Sequence, residues 1–160
     1  MNVIHPPFVN FIIALPFVAL FSQLTYIFTR DKAYSKAALR IMGFTLLISL
    51  FAVFSGLGDA EKIIKGHMIL QDGIQVINSH KTFGLLVVAI LLVTTLTKWF
   101  AISKNSSLLE NISIVLIIVT LMASLYQGRS GGSIVYKYSG GIDNRIIKQR
   151  MDEQKEIGHD

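Results

Sequence analysis

Apolar residues fall in four long unbroken stretches, residues 7–29, 38–57, 82–102 and 108–126, separated by short polar segments. Each stretch approaches the ~20 residues that an α-helix needs to cross about 30 Å of hydrocarbon. The stretches are continuous rather than alternating, which predicts helices and not the strands of a membrane barrel. A helix also pairs its own backbone N–H and C=O groups, as lipid requires. The pattern therefore predicts an all-α chain. A four-transmembrane-helix bundle occupies residues 1–128, with spans at about 7–29, 38–57, 80–102 and 107–127, and a glycine-rich segment with a charged tail fills 129–160.

Local signals place the ends. Pro6 and Pro7 open the first helix, where a missing N–H costs nothing, and Pro16 inside it predicts a bend. The run Ser55-Gly56-Leu57-Gly58-Asp59 reads as a stop for helix two. A loop is expected from Asp59 to Ser79, with a short amphipathic piece around 63–70 and with Asn78 or Ser79 capping helix three. Helix four is expected to end at Gln127-Gly128. In the tail, Ile142, Ile146 and Ile147 share one face, which fits a surface helix or, equally, a solvated charged tail with fraying ends.

Charge sets a topology. Four spans put both termini on one side, side A, together with the 59–79 loop; side B holds the two short loops. The basic residues Arg30, Lys32, Lys36, Arg40, Lys98 and Lys104 gather on side B. The positive-inside rule then makes side B cytoplasmic and side A periplasmic, as for a multi-pass protein of a bacterial inner membrane. The first basic residue is Arg30, so no positive region precedes the first apolar run, which is expected to be a retained span.

Composition narrows the chemistry. Hydrophobic residues make up 52% of the chain, and no cysteine is present. That excludes disulfides, thiolate metal sites and haem attached through Cys-x-x-Cys-His. The net charge of +5 lies between helices and in the tail, which argues for the lipid bilayer and against nucleic acid as the partner. No acidic or basic residue falls in the middle of a stretch, which argues against a proton pump, an ion-coupled transporter or a channel. Glu110 is expected to snorkel or to pair with Lys104, and Thr94, Thr95 and Thr97 to hydrogen-bond their own helix or a neighbour. No Ser–His–Asp set, phosphate loop or metalloprotease signature is present.

The histidines carry what chemistry remains. His5 precedes helix one and His80 lies in the first turn of helix three, both at side A, where a bundle can bring them together. Gly84 lies one turn below His80 on the same face, which leaves room for a flat ring or serves close helix packing. Two imidazoles from opposite sides of a slot with apolar walls suit a b-type haem. Arg129 and the backbone N–H groups of Gly131 and Gly132 are expected to meet its propionates, with Tyr136 and Tyr138 closing the site. His67, beside Met68, is a secondary metal-ligand candidate, otherwise an exposed loop residue, and His159 belongs to the tail. Asn10 lies about a turn inside helix one on the side of the site.

Two segments carry a family resemblance. The opening His5-Pro-Pro-Phe-Val-Asn-Phe-Ile-Ile-Ala-Leu15 and the stretch 128–142, with Gly131-Gly132, Val135-Tyr136 and Gly140-Gly141-Ile142, resemble the bacterial membrane family called domain of unknown function 2231. His80 with Gly84, and Ser55-Gly56, fit the same outline. Asn10 stands where a second histidine of that family is expected, Ile12 replaces a proline, and Tyr138-Ser139 stand where His-Gly is common. The family is similar in helix count and histidine placement to four-helix b-type membrane cytochromes. That similarity implies haem b and electron transfer by analogy of fold.

Two functions follow as expectations. One is a cytochrome-like electron-transfer subunit with a single haem near side A, since side B has no histidine, exchanging electrons between the quinone pool and a periplasmic redox protein. The other is a cofactor-free structural or anchoring subunit of a larger membrane complex.

Overall fold

The computed structural model describes residues 5–157, with side chains described through residue 154; His159 lies outside the described residues. Five helices follow one another: α1 (His5–Thr29), α2 (Lys32–Lys65), α3 (Gln71–Ser103), α4 (Ser107–Tyr136) and α5 (Asn144–Ile157). The first four are long and apolar enough to cross a membrane. They form an antiparallel four-helix bundle in which each packs on two neighbours, so α1 and α3 face each other across one diagonal and α2 and α4 across the other.

The side-B turns are tight. Asp31 caps α2 by accepting the Ala33 N–H, and Ser106 caps α4 by accepting the Leu109 N–H. Each turn reverses through one left-handed residue, Arg30 (φ 59°) and Asn105 (φ 47°).

The helices run further at side A than the sequence signals suggest. Helix α2 continues through Gly56 and Gly58 to Lys65, α3 begins at Gln71 instead of near residue 80, and α4 continues through Gly128 to Tyr136. The expected 59–79 loop shrinks to residues 66–70. At 1.5 Å per residue α2 is about 50 Å long, well beyond the ~30 Å of hydrocarbon. Packing explains why three of the glycines stop nothing. A Cβ on Gly56 would lie 2.9 Å from the His5 ring, one on Gly128 2.5 Å from Ile13, and one on Gly131 3.2 Å from the His80 ring. These glycines let neighbours approach. The helix-propensity cost of about 1 kcal/mol each is offset by that contact.

The extensions build a cap with its own small core of Ala60, Ile63, Ile77 and Ile134. Two backbone hydrogen bonds tie its loops together, Leu70 N–H to Tyr138 O (3.1 Å) and Gly141 N–H to Met68 O (2.9 Å). Below the cap the main core is Ile12, Ala19, Met42, Ala52, Val87, Leu91 and Ile117. Around it the buried positions carry small polar side chains such as Ser49, Thr94, Ser113, Thr120 and Ser124, while Phe21, Phe28, Phe54 and Met122 point outward. Small polar residues inside and large apolar residues outside are the arrangement lipid favours. Among the described residues α5 packs against no other helix.

Candidate functional site

The histidines meet where the bundle passes into the cap. His5 stands at the start of α1 and His80 on α3, on diagonal helices, and their ring centroids lie 6.2 Å apart with planes at 89°. Each ring is fixed from behind. His5 Nδ1–H donates to Ala52 O (2.8 Å), and the His5 backbone N–H donates to Asp59 Oδ2 (3.0 Å). That tautomer leaves His5 Nε2 with its lone pair. Gln127 Nε2 donates to His80 O (3.0 Å) and to His80 Nε2 (3.1 Å), so His80 Nδ1–H donates to Ser130 Oγ (3.2 Å). A backbone or side-chain oxygen holding Nδ1–H is the support that metal-binding imidazoles usually have.

The remaining expected residues are placed unevenly. The space beside Gly84 is filled by Gln127, whose Nε2 would lie 3.0 Å from a Cβ there, so Gly84 does not clear a ring face as packed. Gly131 and Gly132 lie inside α4, where their N–H groups point along the helix; they form no anion-binding turn. Gly131 instead makes room for the His80 imidazole. Tyr136 is 91% exposed and closes nothing. Tyr138 belongs to the cap, with its Cβ against Gly73. Asn10 is exposed, and His67 is an exposed residue of the 66–70 turn with φ 51°. Arg129 is exposed and lines a cavity of about 410 Å³ between α3 and α4, together with Gln75, Val76, Ser79, Tyr126, Ser130 and Ser133. Ser130 joins this cavity to His80.

Two imidazoles are the donor type of a bis-imidazole ligand set, and their ring centroids are 6.2 Å apart. Two metal–nitrogen bonds of about 2.0 Å place imidazole centroids roughly 6 Å apart. The packing fits a porphyrin less well, because Gln127 occupies His80 Nε2. Gln127 Oε1 is buried with no partner among the described residues, so the polar network here is one donor short. Among the described residues no group of three or more metal-ligating side chains gathers.

A second polar cluster escaped the sequence reading. Near side B, Lys98 on α3 forms an ion pair with Glu110 on α4 and donates to Ser35 Oγ on α2 (2.8 Å). Glu110 also accepts from Ser35 (2.7 Å) and from Gln23 Nε2 on α1 (2.8 Å). Lys98 is fully buried, and its ammonium lies 5.5 Å from the Tyr26 ring. Glu110 therefore neither snorkels nor pairs with Lys104. Residues 98 and 110 are each near a helix end, where charge is unremarkable. The available signal was joint: one polar residue per helix at the same depth, residues 23, 35, 98 and 110.

The long apolar helices and the inside-polar, outside-apolar packing define a four-helix membrane bundle. The chain belongs to the family described as "Predicted membrane protein (DUF2231)", which matches residues 2–144. No curated protein and no solved structure matches it.

Proposed function

We propose that the chain is a membrane-integral electron-transfer subunit that holds one b-type haem between His5 and His80 near side A. Loop charge supports side A as the periplasmic face, and there the subunit would exchange electrons between the quinone pool and a redox partner. One observation carries the reading: two imidazoles on diagonal helices converge at 6.2 Å, each with Nδ1–H already held. Bound haem supplies reversible one-electron chemistry at its iron. The protein's part is to hold both rings, fix their tautomers and keep the walls apolar with Phe8 and Phe83. For His80 Nε2 to hold the iron, Gln127 would have to give up its hydrogen bond to that nitrogen. The adjoining cavity, with Tyr126, Arg129 and Ser130 on its walls, offers donors to a quinone head group beside His80. Side B has no histidine, which limits transfer to one face.

The alternative is a cofactor-free anchoring subunit. It is favoured by Gln127, which already satisfies His80 and fills the space beside Gly84. Oxidised and reduced absorption spectra of the full chain, purified after haem-replete expression, separate the two. A Soret band lost in both His5→Ala and His80→Ala supports the haem reading. A folded wild-type protein without a Soret band overturns it and leaves the anchor.

A further inference from the structure

A different cavity, of about 400 Å³, opens at side B over the buried ion pair. Its walls come from α1, the start of α2 and the α3–α4 turn, and include Tyr26, Lys32, Lys36, Asn105, Ser107 and Glu110. Three features give it a sign. The only carboxylate in its wall, Glu110, is matched by Lys98 from below, so the floor is close to neutral. Lys32 reaches across the mouth to donate to Asn105 Oδ1 (2.9 Å), which uses one of its three N–H donors. Neither Lys32 nor Lys36 forms an ion pair among the described residues. The neighbouring Asp31 is engaged in capping α2. Two lysines without an ion pair therefore line one cavity, and Ser107 brings the positive end of the α4 helix dipole to the same wall.

We propose that this cavity binds a phosphate-class anion, with Lys32 and Lys36 as the charge partners and the Lys98–Glu110 pair as a neutral floor. The cavity lies at the bilayer surface, so the phosphate arrives either on a lipid head group or on a small soluble ester; the chemistry is common to both. The inference is independent of the haem reading, because it uses the opposite end of the bundle.

The test uses the full chain in a neutral detergent, with thermal unfolding and calorimetric titration as readouts. Glycerol 3-phosphate probes the soluble source and dihexanoyl-phosphatidylglycerol the lipid source, with glycerol and an uncharged dihexanoyl glyceride as controls. At least one phosphate probe raises the melting temperature where its control does not, and which one does identifies the source. Among the described residues the Lys36 side chain makes no hydrogen bond or ion pair. K36Q therefore tests binding without disturbing the fold and weakens it about tenfold or more, as expected for a lost charge-assisted bond. K32Q/K36Q abolishes the shift, whereas K148Q/R150Q on α5 keeps it. A folded K36Q that binds as tightly as wild type, or no response to either phosphate probe, overturns the proposal.

Discussion

Glu110→Ala removes the acceptor at the centre of the side-B cluster. Three donors lose it together: the Lys98 ammonium, the Ser35 hydroxyl (2.7 Å) and the Gln23 amide (2.8 Å). Lys98 has 0% side-chain exposure, so its charge has no route to water without a shift of α3. Breaking one side of a buried pair costs about 3–5 kcal/mol, and two orphaned neutral donors in a membrane protein add about 0.6 kcal/mol each. The expected loss is thus about 4–6 kcal/mol. Lys98→Met costs less, about 2–4 kcal/mol, because Glu110 keeps Ser35 and Gln23 as donors. The double variant Lys98→Met with Glu110→Gln removes both charges and keeps an amide for Ser35 and Gln23, and it recovers to within about 1.5 kcal/mol of wild type. The assay is unfolding by SDS in mixed micelles, followed by far-UV circular dichroism and by the fluorescence of Trp99, comparing the three variants with wild type; adding Glu110→Gln as a single completes a double-mutant cycle with Lys98→Met. The reasoning fails if Glu110→Ala lies within about 1 kcal/mol of wild type, or if the double variant is no more stable than the worse single.

Gly56→Ala places a Cβ 2.9 Å from His5 Cε1 and Nδ1. It destabilises by about 1–3 kcal/mol and shifts the His5 ring signals in 15N NMR. Gly58→Ala meets nothing within 4 Å; the same assay should find it more stable by about 0.5–1 kcal/mol. Gly141 has φ 81°, so Gly141→Ala strains the cap, and hydrogen exchange at the Leu70 and Gly141 amides should rise. Arg145 hydrogen-bonds the Asp143 carboxylate and holds its pKa near about 2, below the ordinary 3.8. A depressed carboxylate stabilises above its unfolded pKa and loses that contribution as pH falls through the folded value. Amide exchange in the first turn of α5 should therefore stay flat above about pH 4 and rise between about pH 4 and pH 2; Asp143→Asn, which also caps a helix, should flatten that response.

The four spans are legible in the sequence because lipid imposes a length and a composition that few soluble helices share. Their side-A ends are not. Gly56, Gly128 and Gly131 carry the same letters as helix stops, and only the ring or side chain packed against each shows that it is a contact point. The side-A meeting of His5 and His80 follows from register, since both lie toward the side-A ends of α1 and α3, which run in the same direction. What holds His80 does not: Gln127 reads as the last residue of a helix until α4 is seen to continue to Tyr136. The pairing of Lys98 with Glu110 depends on which face each helix turns inward, and no single-helix pattern encodes that.

The cap has a further consequence. Its two cross-loop hydrogen bonds join Met68 and Leu70 to Tyr138 and Gly141, closing a ring of chain that takes in both α3 and α4. Many exported domains use a disulfide for such a clasp. Here the chain has no cysteine, so the fastening is made of main-chain atoms alone. It holds equally under oxidising and reducing conditions, and the fold is indifferent to the thiol chemistry of whichever compartment the cap faces.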